Sequence, residues 1–150
     1  MTDVDKIRNL IFGYARAIDS GDFVEIGRLF RHGRIILNSQ SSDSDVVGQD
    51  AITSLYEKTT RRYEDGTPHT QHLTTNVEIS IEGEIASSIS YFTVLQSLND
   101  FNLQPIISGK YFDTFTLDNK QWFFETRLIE VTLIGDLSKH LLIDLPESKD

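Results

Sequence analysis

The side chains best suited to moving a proton near neutral pH are the four histidines of this 150-residue chain, because an unperturbed imidazole titrates between about pH 5 and 8. Two of them, His69 and His72, stand three residues apart in the run HTQHLTTN. That spacing argues against a metal pair. The run reads as a β-strand, where residues three apart point to opposite faces, and a metal site asks for about three converging ligands, of which no third is evident. A general base is the better chemical use of such a histidine. A neutral imidazole takes up a proton usefully at about pH 7 when a carboxylate on its other nitrogen fixes the tautomer and stabilises the imidazolium. Alternation also sets the company His72 keeps. If it faces a pocket, Thr74, Asn76 and Glu78 face the same way, and Leu73, Thr75, Val77 and Ile79 the other, unless a bulge breaks the parity. Asn76 would then be able to orient a ligand by hydrogen bonding.

Tyr14 lies on the apolar side of the first predicted helix. It either aims its hydroxyl at a ligand carbonyl or sits in the core with that hydroxyl satisfied. Tyr91, Tyr111 and Trp122, with Phe30, Phe92, Phe115 and Phe124, can supply apolar walls, most of them as plain core. Arg127 falls among large apolar residues and needs a partner, either an acid such as Asp113 on a neighbouring strand or an anionic ligand group. Cysteine is absent, which excludes disulfides and thiolate chemistry. What this inventory lacks is an obvious oxyanion donor or leaving-group acid.

The elements that must position these groups are legible from periodicity. Ile7, Leu10, Ile11, Tyr14, Ala15 and Ile18 recur as on one face of a helix. It begins near Asp3 and Asp5 and stops near Ser20-Gly21, so Asp19 lies in its last turn. A second helix restarts at once, with Asp22 as cap and Glu25 three residues on; Phe23, Ile26, Leu29 and Phe30 are its apolar positions. Arg34 to Asn38 reads as a short strand, Ser39 to Asp45 as a polar loop, and Gly48 to Thr59 as a third helix. Four long runs rich in β-branched and aromatic residues follow: His69–Ile81, Ile85–Leu98, Ile106–Leu117 and Gln121–Ile134. Turns are expected at Glu82-Gly83-Glu84, Asn99-Asp100 and Asp118-Asn119, which makes the four strands an antiparallel meander. Helices followed by a meander define an α+β fold with the helices on one face of a curved sheet. One domain over residues 1–150 is expected, with its core from about 7 to 141 and a tail at 142–150 whose last residues, Pro146 to Asp150, fray.

Charge narrows the partners. Fourteen basic against 23 acidic residues give a net charge of −9, which disfavours phosphate backbones and anionic lipid, so neither nucleic acid nor membrane is expected. The opening Met-Thr-Asp-Val-Asp-Lys carries acids where a secretion signal has basic residues, and no run approaches the roughly 20 apolar residues of a membrane span. A cytoplasmic location is the expectation.

Several stretches in this order resemble the SnoaL-like branch of the nuclear-transport-factor-2-like superfamily. They are Tyr14-Ala-Arg-Ala-Ile-Asp19-Ser-Gly-Asp22 followed by Leu29-Phe30, then Gly48-Gln-Asp-Ala-Ile52 and His69-Thr-Gln-His72-Leu-Thr-Thr-Asn76. Gly109-Lys-Tyr111-Phe-Asp113-Thr-Phe115 and Trp122-Phe-Phe-Glu-Thr-Arg127 complete the set. The resemblance spans about Ile7 to Leu141 and implies a cone-shaped, mainly antiparallel sheet around an apolar pocket that takes a small apolar or aromatic molecule. It also implies a homodimer through the convex sheet face. In two members, scytalone dehydratase and hexachlorocyclohexane dehydrochlorinase, an Asp at the end of the first helix and a His on the first long strand abstract a proton without cofactor. Those positions correspond to Asp19 and His72. The superfamily also holds isomerases, cyclases, accessory subunits of ring-hydroxylating dioxygenases and binding proteins, so the fold alone does not fix a reaction. Here Asp19 and His72 are either a catalytic dyad or, respectively, a helix-end acid and a satisfied polar residue. By the resemblance, Tyr14, Asn76, Tyr91, Tyr111, Trp122 and Arg127 are the candidate substrate contacts. The tail Gly135-Asp-Leu-Ser-Lys-His140-Leu is expected over the pocket mouth, with His140 at the surface or an interface.

Overall fold

Thr2 starts the first helix, α1 (Asp3–Asp19): its hydroxyl accepts from the Asp5 N–H while the Asp5 carboxylate accepts from the Thr2 N–H, a capping box. The buried side of α1 is Ile7, Ile11, Tyr14, Ala15, Ala17 and Ile18. Gly21 then turns the chain at φ +74, and a Cβ there would come within 1.9 Å of the Gly66 carbonyl oxygen; only glycine permits both the turn and the close approach. α2 (Phe23–Leu29) follows, its first turn capped by the Asp22 side chain accepting from Glu25 N–H. The third helix, α3 (Gln49–Thr59), buries Ile52 and Tyr56. In the computed structural model the described residues are 1–37 and 39–145; Asn38 and the Pro146–Asp150 tail, for which strand and frayed end were expected, lie outside them.

Six strands form one sheet in the order β2-β1-β6-β5-β4-β3: β1 (Arg34–Ile36), β2 (Val46–Val47), β3 (Thr70–Glu82), β4 (Ile85–Leu98), β5 (Phe101–Asp118) and β6 (Gln121–Ile134). β3 to β6 are the expected antiparallel meander. β1 lies parallel to β6 and antiparallel to β2, making the sheet mixed. The helices pack on one face, their apolar sides meeting Phe92, Val94, Ile106, Phe115 and Phe124. Register shifts interrupt β3–β4, β4–β5 and β5–β6, and such bulges bend and twist the long strands around the helices.

Three local details depart from the sequence expectation. β5 begins at Phe101, not Ile106; Pro105 is tolerated because the β4–β5 register slips beside it, between Val94 and Leu95. The last hairpin turns on Asn119 and Lys120, at φ 50 and 64, while Asp118 still pairs with Gln121. The two-residue β2 emerges where the polar run ends, paired with β1. Among the described residues no helix is long and apolar enough to cross a membrane.

Among the described residues the core contains one fully buried charged pair. Arg127 and Asp113, on paired strands, are both fully buried, and Arg127 Nε and Nη2 donate to the two Asp113 carboxylate oxygens at 2.8 and 2.9 Å. The guanidinium also stacks on Tyr111 and Tyr14, 3.7 and 4.3 Å from their ring centres. Burial works against the charge on Arg127, but Asp113 outweighs it and raises the guanidinium's pKa further. Breaking such a pair leaves a bare buried ion, whereas replacing both members leaves an apolar contact. Urea denaturation should therefore show Asp113→Ala losing about 3–5 kcal/mol, and the double variant Asp113→Leu/Arg127→Met losing much less. Equal losses would mean that the pair is not one electrostatic unit.

Candidate functional site

β3 ends the sheet order, so one of its edges presents backbone N–H groups with no neighbouring strand. The end of α1 packs against that edge. Asp19 Oδ2 accepts from the His72 backbone N–H at 2.7 Å, and Asp19 Oδ1 accepts from the Thr70 hydroxyl at 2.9 Å. The same Oδ1 lies 2.7 Å from His72 Nδ1. An ionised carboxylate has no proton to give, so Nδ1 carries the hydrogen. That fixes the tautomer and leaves the lone pair on Nε2, which has no hydrogen-bond partner among the described residues. The His72 side chain is 7% exposed and the Asp19 side chain 21%.

The His72 ring forms part of the wall of a cavity of about 210 Å³. Its other walls are mainly apolar, with Ile18, Phe92, Val94 and Ile129 among them, and Tyr14, Tyr56, Tyr111 and His140 supply most of the polar atoms. The hydroxyls of Tyr14 and Tyr56 hydrogen-bond to each other. Burial raises the pKa of both, Tyr56 the more strongly, while Arg127 beneath the Tyr14 ring pulls Tyr14 partly back. Both therefore stay protonated. Two hydroxyls sharing one mutual bond keep one proton free for a ligand.

Tyr14, Tyr111 and His72 thus meet at one cavity, with Asp19 directly behind His72. The structure places the other expected contacts elsewhere. Asn76 is exposed, because a bulge between Thr75 and Glu78 holds it at φ 53 and reverses the strand's parity, so that Val77 and Ile79, not Asn76 and Glu78, turn inward. Tyr91 is 42% exposed on the outward face of β4, with Lys110 Nζ over its ring; Phe92 and Val94 take the inward positions. Trp122 is buried in the core away from the cavity wall. Arg127 pairs with Asp113 underneath the tyrosines and is not part of the cavity wall. His69 points away at φ 56, 3.3 Å from Asp65. Among the described residues no three His, Asp or Glu side chains gather as a metal site would require.

Two cavity groups escaped the sequence. Tyr56 lies within the predicted third helix, where nothing in the sequence marks it as a cavity group. His140, expected at the surface or an interface, is only 7% exposed and lines the cavity. The segment that carries it closes the mouth of the cone through main-chain ties. Arg61 N–H donates to His140 O, Leu142 N–H donates to Thr59 O, and buried Gln96 donates to Lys139 O. Burial, with help from the nearby His72 and against the pull of Asp19, pushes the His140 imidazole down to about 4.

The sequence profile of the SnoaL-like domain family matches residues 1–127, and the chain belongs to that family. A search of curated proteins finds no match. Solved structures share the fold. A nuclear-transport-factor-2-like protein with a cystatin-like fold from Novosphingobium aromaticivorans superposes with a TM-score of 0.71 at 19% identity, over 86% of this chain and 81% of that one. A candidate scytalone dehydratase from the same organism gives 0.69 at 21% identity, over 89% and 87%. The β subunit of a candidate aromatic-ring-hydroxylating dioxygenase, again from N. aromaticivorans, gives 0.66 at 18%, over 93% and 95%.

The buried His140 has a consequence for stability. Its folded pKa lies below its ordinary 6.5, so between about pH 6.5 and 4 the unfolded chain binds more protons and stability falls as the pH drops, by at most on the order of 3 kcal/mol. Urea melts at pH 7 and pH 4.5 should show a smaller acid loss in His140→Gln than in the wild type. The same loss in both would mean that His140 is protonated freely in the folded protein.

Proposed function

We propose that this protein is a cofactor-free lyase or isomerase acting on a small, mostly apolar ring compound that carries a carbonyl. The observation behind this reading is the 2.7 Å contact between His72 Nδ1 and Asp19 Oδ1 at the wall of an apolar cavity. His72 Nε2 removes a proton from the carbon beside the carbonyl. The C–H electron pair moves toward the carbonyl oxygen, giving an enolate, and the imidazolium is stabilised by Asp19. The free proton of the Tyr14–Tyr56 pair donates to the developing oxyanion, where apolar walls strengthen the bond. The proton on His72 then returns to a different carbon, which isomerises the ring compound, or joins a departing hydroxyl as water, which dehydrates it.

The second reading is a non-catalytic ligand-binding or accessory domain, favoured by the near full-length likeness to a dioxygenase β subunit. Such a domain would catalyse no exchange and would co-purify with an iron-containing partner.

The proposal extends to the assembly, taken as one domain over residues 1–150 in a cytoplasmic homodimer. The outward sheet face supports dimerisation, since Leu73, Ile85, Ile89 and Tyr91 are all more than a third exposed there, an apolar patch of the kind that marks an interface.

Deuterium exchange at the α-carbon of 2-tetralone in heavy water, followed by NMR, tests the chemistry. The wild type should accelerate it, and His72→Ala should lose at least ~100-fold of that acceleration with its melting temperature nearly unchanged. Asp19→Asn should lose a comparable factor through the wrong tautomer. Undiminished exchange in His72→Ala would rule the mechanism out. Light scattering at micromolar concentration should give a dimer that Ile89→Glu/Tyr91→Glu turns into a monomer; a monomeric wild type would remove the dimer.

A further inference from the structure

His72 and His140 line the same cavity in opposite chemical situations. His72 is tied at Nδ1 by a carboxylate, so its free nitrogen is an acceptor. Among the described residues no acid hydrogen-bonds to His140. Its Nδ1 is sealed inside the protein, and among the described residues neither Nδ1 nor Nε2 has a hydrogen-bond partner. A neutral imidazole carries one hydrogen and must place it on one of these two nitrogens. A buried N–H with no acceptor is costlier and rarer than a buried lone pair with no donor. The hydrogen therefore belongs on Nε2.

We propose that His140 is the second ligand-binding group of this cavity, an uncharged imidazole whose Nε2–H donates a hydrogen bond to an oxygen of the bound ring compound. The inference rests on the cavity being a ring-compound site, and it names the feature such a compound must have: an oxygen acceptor at the end closed by the 137–145 segment. The position is built rather than incidental. Main-chain bonds from Arg61 and Leu142 and the amide of Gln96 hold the backbone on either side of the ring, so the donor is oriented before a ligand arrives. Its neutrality suits the neighbour. A second cation beside His72 would oppose formation of the His72 imidazolium, whereas a neutral donor supports charge on the oxygen without that conflict. The depressed basicity of His140 agrees with this arrangement. The cavity then offers a base and, beyond the Tyr14–Tyr56 pair, a second donor from a different element.

Binding of 2-naphthol and naphthalene to the full chain, without turnover, tests the assignment. The wild type should prefer 2-naphthol by ~5-fold or more, the worth of one hydrogen bond. His140→Phe should lose most of that preference, and His140→Gln, whose amide stands near the place of Nε2, should restore part of it. In nitrogen NMR of the wild type, the His140 ring should show the Nε2-protonated tautomer, and saturating 2-naphthol should move its Nε2 signal. An unchanged preference in His140→Phe, an unmoved Nε2 signal, the other tautomer, or no binding of either probe would each overturn the inference. Since no reaction is read, His72 can fail as a base while His140 holds as a donor, and the reverse.

Discussion

One carboxylate joins the helical layer to the chemistry. Asp19 sits at the last position of α1 and takes three donors from two nearby residues of β3, the backbone and ring of His72 and the hydroxyl of Thr70. The backbone bond is a structural service, because it satisfies an N–H at the free edge of the sheet. The ring bond is a chemical one, because it decides which imidazole nitrogen keeps its lone pair. Both depend on the chain reversing immediately after Asp19. That reversal depends in turn on Gly21, where any side chain would collide with Gly66. Arg62 adds a further tie, donating to the Gly21 carbonyl at 3.2 Å and covering the Phe23 ring. The geometry of the dyad is thus inherited from a tight corner between two helices.

A second constraint lies deeper. The Asp113–Arg127 pair carries no net charge into the core, yet the guanidinium faces the rings of Tyr14 and Tyr111. A cation over an aromatic ring is held by the ring's negative face, so the pair fixes the floor of the cavity as well as bridging β5 and β6. Its field also partly offsets the burial that makes the Tyr14 hydroxyl a weaker acid. Asp19 and His72 at one side, and the tyrosines over Arg127 at the other, bracket a volume whose remaining walls are hydrocarbon. In such surroundings each hydrogen bond counts for more than it would in water.

Most of the fold was legible because it is written in local patterns. The spacing of Ile7, Ile11, Tyr14 and Ile18 gave the buried face of α1, and the glycine-marked corner gave its end. Alternation gave the meander. What failed did so where tertiary structure overrides a local rule. Asn76 left the cavity because a one-residue bulge at positive φ reversed the parity of β3, and no residue type in LTTNVE demands a bulge there. Tyr91 and Phe92 are adjacent aromatics on a strand with apolar residues on both faces, so composition could not say which turned inward. Pro105 hid the start of β5, since a proline normally ends a ladder. Asp19 and His72 are 53 residues apart, and only resemblance to known folds, not spacing, brought them together. His140 lies in a segment with neither helical nor strand periodicity. Its burial comes from Gln96, Thr59 and Arg61, residues 44 to 81 positions away in sequence, through bonds that no local pattern encodes.

That last failure bears on how a site of this kind is assembled. The helices and the meander follow from hydrophobic pattern, and with them Asp19 and His72 meet at the wall of an open cone. Closure is a separate task given to an irregular segment. Its Leu137, Leu141 and Leu145, with Ile143, add to the apolar cavity wall, and main-chain bonds through Arg61, Leu142 and the Thr60–Leu141 bridge hold its path. Main-chain bonds fix the path of a segment while leaving its side chains free to change. A framework set by packing can therefore keep the Asp19–His72 contact while the closing residues alter what the cavity accepts. In this chain the residue presented at that point is an imidazole with one nitrogen sealed inside and, among the described residues, no hydrogen-bond partner for either nitrogen. A buried polar group with no partner is a cost, and under the proposed assignment an oxygen bound in the cavity would recover it.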